Sequence, residues 1–207
     1  MIIKTEIGKG SKLYLYADDE YVMSIDSDIW YSLDYTDGDE IDEEELNELK
    51  SLVNARLAYA QAIRFLTLRS HSENELYKKL LKKHSRLSAE YAIAKCRELG
   101  FLDDADFASR YAKELAENKK YGVARIRQEL LLKGIDRDLI DNAISSVDTD
   151  YSDNIIQIVE KKYSNCLNDD KGKRRMIAGL MRLGYTYSDI KSALAQYDLP
   201  EDNTDEY

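Results

Sequence analysis

The sequence predicts a mainly α-helical protein, with three tandem three-helix repeats in an elongated, curved array and a small antiparallel β region at the N-terminus. Three observations carry that expectation. An ungapped offset of fifty residues relates Leu76, Leu80 and Lys83 to Ile126, Leu130 and Lys133, and again to Met176, Leu180 and Leu183. Apolar triplets at i, i+4, i+7 spacing recur later in each unit. Short β-branched and aromatic runs are confined to the first thirty-odd positions. A unit of this size cannot bury its own apolar face, so neighbours must stack, and the stack is first of all a shaped binding surface.

Taken in order, residues 2–7, 13–16 and 21–25 read as strands, divided by Gly8-Lys9-Gly10 and Ala17-Asp18-Asp19-Glu20. Trp30 and Tyr31 end that region, and Trp30 is expected to pack sheet against helix. Asp42-Glu43-Glu44-Glu45 then places carboxylates where a helix begins, opposing the positive end of its dipole. A helix follows towards Leu68, with room for a break. The boundaries expected are 1–50 for the acidic β-rich extension and helix start, 51–104, 105–150 and 151–200 for the repeats, and 201–207 for an acidic, fraying tail.

Within the repeats the single proline, Pro200, forces no helix to end, so caps and glycines must do so. Ser72, Gly122 and Gly172 precede the three aligned segments, and Gly134 and Gly184 follow two of them. Gly100 fits a C-terminal cap, and Asp103 or Asp104 an N-cap for a helix burying Phe107, Tyr111 and Leu115. The third helices carry the triplets Ala92, Cys96, Leu99; Ile140, Ile144, Val147; and Ile190, Leu194, Tyr197, each on one helical face. Ser88, Asp136 and Thr186 stand four residues before them as expected N-caps, with Asp189 completing a capping box. The first helices are less regular: 54–68 supplies Leu57, Ala58, Ala62 and Phe65, and 154–166 supplies Ile155, Ile158, Val159 and Tyr163.

Charge is unevenly distributed. Residues 1–50 carry fifteen acidic against four basic residues, whereas 51–200 carry twenty-six basic against twenty-one acidic. The net charge of −10 therefore belongs to the ends, which allows local nucleic-acid contact but argues against a protein that coats DNA by charge alone. Cys96 and Cys166 lie far apart and suggest no disulfide scaffold, and no secretory or membrane-spanning stretch is seen, so a reduced cytoplasmic protein is expected. His71 and His84 have no partner at metal-ligand spacing, and no phosphate-binding glycine loop or nucleophile with a histidine partner occurs. No enzyme activity, cofactor or metal is expected.

The string Gly100-Phe101-Leu102-Asp103-Asp104-Ala105-Asp106-Phe107-Ala108 resembles the linker between the first two repeats of the RecX family, bacterial regulators of the RecA recombinase. The flanking strings agree: Arg69-Ser70-His71-Ser72-Glu73-Asn74-Glu75-Leu76 with Lys79-Leu80 upstream, and Tyr121-Gly122, Ile126, Glu129-Leu130 and Lys133-Gly134-Ile135 downstream. The strands and the segment Gly38-Asp39-Glu40-Ile41-Asp42-Glu43-Glu44-Glu45-Leu46 resemble the extension of members from Gram-positive bacteria. The resemblance implies a non-enzymatic protein that binds within the groove of the RecA filament on single-stranded DNA; a monomer is expected. It would lower filament growth, ATP turnover, strand exchange and co-protease activity, and so regulate recombination, DNA repair and the SOS response. One departure stands out: Lys83-His84 replaces the family's Lys-Gly, so either the turn differs or His84 takes a left-handed backbone at some cost.

Candidate partner- or DNA-binding residues are the basic positions that recur between repeats. Arg125 corresponds to Arg175, Lys82 to Arg182 and Lys83 to Lys133; Lys78, Lys79, Arg127, Lys173 and Arg174 extend the stripe. The plainer account is a solvated face with intrahelical charge pairs. Tyr121 and Tyr185 either stack on a partner or sit half-buried, and Cys96 is expected in the core. The Asp42-Glu43-Glu44-Glu45 run either mimics phosphate or simply starts a helix. Two other functions compete, a helical nucleic-acid-binding module acting without a recombinase and a general interaction scaffold.

Overall fold

Asp18 and Asp19 take positive φ, 47° and 66°, and close a two-residue hairpin of the kind whose twist matches paired strands. In the computed structural model, which describes residues 1–197 and Leu199, the expected tail at 201–207 lies outside the described residues. The chain divides into two units, Met1–Leu102 and Asp103–Tyr207. In the first, strands β1 (Ile3–Ile7), β2 (Lys12–Ala17) and β3 (Glu20–Asp26) form an antiparallel sheet in the order β1-β2-β3. Alternation along β2 turns Leu13, Leu15 and Ala17 inward, opposite Ile25 of β3 and Ile3 of β1. Trp30, at the end of the short helix α1 (Ser27–Trp30), joins the same core, while Tyr31 is exposed.

Helix α2 (Glu43–Leu68) runs unbroken for 26 residues, and Asp42 starts it with a full capping box to Glu45. Its two halves serve different cores. Leu46, Leu49 and Val53 pack on the sheet, and Ala58 and Ala62 pack into the first repeat with Leu76, Leu80, Ala89, Ala92 and Cys96. Small residues on both sides let α2 lie close to α4 (Arg86–Glu98), and α3 (Glu73–Leu80) completes the unit.

The cap of α4 differs from expectation. Ser85 is the N-cap, accepting from the Ser88 amide, while Ser88 lies buried in the first turn with its hydroxyl 2.9 Å from that of Ser85. The turn before it also resolves the Lys83-His84 departure. Gly134 and Gly184 have φ of 80° and 94°, whereas His84 is not among the left-handed residues; its amide donates to Leu80 and its Nε2 to Gln61. The first repeat uses a different turn rather than a strained histidine.

The second unit contains α5 (Asp104–Glu117), α6 (Val123–Leu132), α7 (Arg137–Ser145), α8 (Tyr151–Lys162), α9 (Asp170–Arg182) and α10 (Tyr187–Ala193). Asp103 caps α5, and Thr186 with Asp189 forms the expected capping box on α10. Ile126, Leu130 and Ile140 centre one core, Met176, Leu180 and Ile190 the next, and each fully buried aliphatic side chain contributes about 1.5–3 kcal/mol. Gly172 corresponds in sequence to the caps Ser72 and Gly122 but lies inside α9, which starts earlier, at the cap Asp169. A 3-10 turn, Ser164–Asn168, crosses there, and a Cβ on Gly172 would meet the Cys166 carbonyl oxygen at 2.5 Å.

Two of the third-helix triplets lose their last residue from the buried face: Leu99, the C-cap of α4, and Tyr197, beyond the end of α10, are exposed, whereas Val147 packs half-buried with Ile144 against the second core.

Candidate functional site

The second and third repeats meet through backbone. The Gly122 amide donates to the Leu183 carbonyl (2.8 Å), and the Ala124 amide to that of Gly184 (3.3 Å). Side chains would prevent this approach: a Cβ on Gly122 would lie 2.3 Å from the Gly184 carbonyl oxygen, and one on Gly184 2.3 Å from the Arg125 amide nitrogen. The Tyr185 hydroxyl donates to the Lys120 carbonyl (2.8 Å), and buried Asn154 spans the joint by donating to Ala116 (3.0 Å) and accepting from Lys120 Nζ (2.8 Å). Burial raises the Tyr185 phenol pKa, so it remains a donor. Tyr185 is therefore a joint residue rather than an exposed stacking platform. Tyr121 is half-buried beside the second core.

The basic positions expected to form one stripe fall into two groups. The first is engaged within the protein. Arg125 pairs with Glu129 at 2.6 Å and lies 5.7 Å from the Tyr121 ring centroid; Arg127 pairs with Asp141; Lys133 lies over the Tyr111 ring at 5.6 Å. Lys79 donates to Nε2 of buried His71 (2.7 Å), whose Nδ1–H donates to the Arg69 carbonyl (2.9 Å), and it also covers the Phe65 ring. Burial lowers the His71 pKa, with the Arg69 and Lys79 charges adding to it, so a neutral imidazole accepts the lysine's proton contact. Lys173, half-buried in the first turn of α9, also has an interaction within the protein.

The second group is exposed, with no ion pair among the described residues: Lys78, Lys82 and Lys83 at the end of α3, and Arg174, Arg175 and Arg182 on α9. On α9 the seven-residue step from Arg175 to Arg182 gives two turns on one face, with Arg174 beside them and Met176, Ile177 and Leu180 buried opposite. Lys171, exposed on the same stripe, was missed in sequence because its repeat equivalent is Tyr121 rather than a cation. Also missed were Lys119, Lys120, Lys161 and Lys162, which line a cleft between the second and third repeats. Their signal was a Lys-Lys pair at the C-terminal end of the first helix in the second and third repeats, Lys119-Lys120 just past α5 and Lys161-Lys162 in the last turn of α8, which the first repeat lacks.

Among the described residues no group of three His, Cys, Asp or Glu is placed to hold a metal, and no helix is long and apolar enough to cross a membrane. Cys96 is fully buried and its thiol is pushed up to about 11 by burial, which marks it as a core residue.

Family models described as the first, second and third three-helix domains of RecX match residues 58–96, 103–144 and 148–194. A regulatory protein RecX from Clostridium tetani is 31% identical, over 93% of this chain and 92% of its own length. Another from Bacillus velezensis is 28% identical, over 97% of this chain and 78% of its own. The fold is similar to a crystal structure of a regulatory protein RecX, with a TM-score of 0.71 at 22% identity, covering 92% of this chain and 98% of that one. It is also similar to that of RecX from Lactobacillus salivarius, with a TM-score of 0.61 at 20% identity, covering 69% of this chain and 96% of that one. With all three domains matched in order and a relative above 30% identity over nearly its whole length, the chain belongs to the RecX family.

Proposed function

We propose that this protein regulates RecA by binding the RecA filament on single-stranded DNA, and that it lowers filament growth, ATP hydrolysis, strand exchange and co-protease activity without catalysing a reaction. The observation that carries this reading to particular residues is the α9 face, where Arg174, Arg175 and Arg182 have no ion pair among the described residues. A guanidinium is a planar fork suited to bidentate contact with a carboxylate, so this face fits an acidic protein surface. Lys78, Lys82 and Lys83 form a second exposed cationic group on the first repeat.

The test is RecA assembled on poly(dT), with ATP hydrolysis followed as this protein is added. Inhibition at stoichiometric amounts is expected, and the triple variant R174E/R175E/R182E should need about tenfold more protein, a loss of roughly 1.4 kcal/mol. Absence of any effect by the native protein overturns the proposal. Full inhibition by the triple variant removes the α9 face from it.

A further inference from the structure

The cleft between the second and third repeats has a composition that neither the repeat nor the α9 face explains. Its volume is about 460 Å3, within the range of small-ligand clefts, roughly 300–1,000 Å3. Lys119 and Lys120 line it from just past α5 and Gln157, Lys161 and Lys162 from α8, with Tyr121, Ile158 and Leu183 as apolar surface. No carboxylate is among the lining residues. Lys119, Lys161 and Lys162 are exposed and have no ion pair among the described residues, and the Lys120 ammonium is held by a neutral acceptor, Asn154 Oδ1. Four lysines thus line one concave space with no ion pair among the described residues, in a chain whose net charge is −10.

Dipole compensation accounts for part of this. Lys161 and Lys162 lie in the last turn of α8, where cations are favoured. Lys119 and Lys120, just past the C-cap of α5, gain from the same effect on their own helix, but it does not explain why both pairs line one cleft. Lys120 also holds a left-handed backbone, φ 53°, fixed by the Tyr185 hydroxyl on its carbonyl and by Asn154 on its ammonium. One wall of the cleft is therefore built into the joint described above.

We propose that this cleft is a phosphate-backbone site that takes a segment of single-stranded nucleic acid. Lysine is a point-charge donor that suits phosphate oxygens without needing the paired geometry of a carboxylate, and among the lining residues there is no arginine. The apolar surface of Tyr121, Ile158 and Leu183 offers contact for a sugar or base between the charges, as in grooves that track a single strand. An acidic peptide would bring carboxylates, for which the α9 arginines are better suited. The two surfaces thus divide by chemistry, lysines for phosphate and arginines for carboxylate.

The experiment uses the full chain without RecA, so its outcome is separate from that of the filament assay. Binding of a fluorescein-labelled 20-nucleotide dT strand is followed by anisotropy across a salt series. The variant K119Q/K161Q/K162Q, at exposed positions and checked by thermal melting, should bind about tenfold more weakly, with the salt slope reduced by about 2, roughly 0.7 per lost phosphate contact. The control K9Q/K12Q/K50Q removes the same charge from the N-terminal region and should stay within about twofold of the native protein. No binding by the native protein, equal losses in both variants, or displacement by polyglutamate at equal charge as effective as by dT would each overturn the proposal.

Discussion

Helices α6 and α9 occupy equivalent positions in successive repeats, yet their arginines serve different ends. Arg125 of α6 is held by Glu129 one turn on and by the Tyr121 ring one turn back. At the corresponding places around Arg175, α9 has Gly179 and Lys171, so the same arginine faces solvent with no ion pair among the described residues. Gly179 is itself demanded by packing, because a Cβ there would lie 2.2 Å from the Tyr163 hydroxyl. Arg127 follows the same logic: its partner Asp141 becomes Lys191, and its own equivalent is the buried Ile177. A basic residue that recurs in a repeat is thus not a conserved duty. Its neighbours one turn away decide whether it holds the fold or remains available to a partner.

The comparison breaks most sharply at the glycine joint. Gly184→Val should cost about 3 kcal/mol or more in a denaturant titration, since it puts a branched side chain at φ +94° against the Arg125 amide. Gly100→Ala, at φ +71° but in open space, should cost only about 1 kcal/mol. Equal losses would mean that backbone conformation alone, rather than the approach of one repeat to the next, sets the demand at Gly184.

A smaller effect separates the two arginines. Arg125→Ala should lower stability by about 1 kcal/mol through the partly buried Glu129 pair and the Tyr121 contact. Arg175→Ala should change stability by less than about 0.5 kcal/mol while weakening RecA inhibition. If both variants destabilise alike, the distinction between engaged and available cations fails.

The smallest effect is on pH dependence. Burial depresses the pKa of His71 and of His84, with nearby positive charge adding in both cases. Their contribution to stability is complete above the ordinary imidazole value of about 6.5. It is lost as pH falls towards the depressed folded values, because the unfolded chain then takes up protons that the folded chain does not. His71→Gln should flatten the fall in melting temperature between pH 7 and pH 5; an unchanged slope would assign it to the carboxylates.

The fold was legible wherever a position is set by local periodicity or by a cap. The strands, the start of the long helix at Asp42, and the aligned cores around Leu76, Ile126 and Met176 follow from such signals. Ser88 misled because Ser85, three residues earlier, is an equally good cap, and only the position of the first turn distinguishes them. Leu99 and Tyr197 misled because a triplet assumes a helix with neighbours along its whole length, whereas Leu99 is the last, capping position of α4 and Tyr197 lies past the end of α10. The site was legible in part. Exposed and engaged cations look alike in sequence, and the joint that unites Lys119 with Lys161 depends on Gly122 meeting Gly184, a contact between residues 62 positions apart.

Helix α2 belongs to two cores at once, and this couples the fate of the sheet to that of the first repeat. Leu46, Leu49 and Val53 need the strands to cover them, while Ala58 and Ala62, farther along the same rod, are the floor on which α4 rests. A nick before Asp42 that released the strands would lay bare the first half of that rod and loosen its second half in turn. The N-terminal extension and the first repeat therefore share one rod, and trimming the former to obtain a smaller protein would expose Leu46, Leu49 and Val53 on a helix the first repeat still needs.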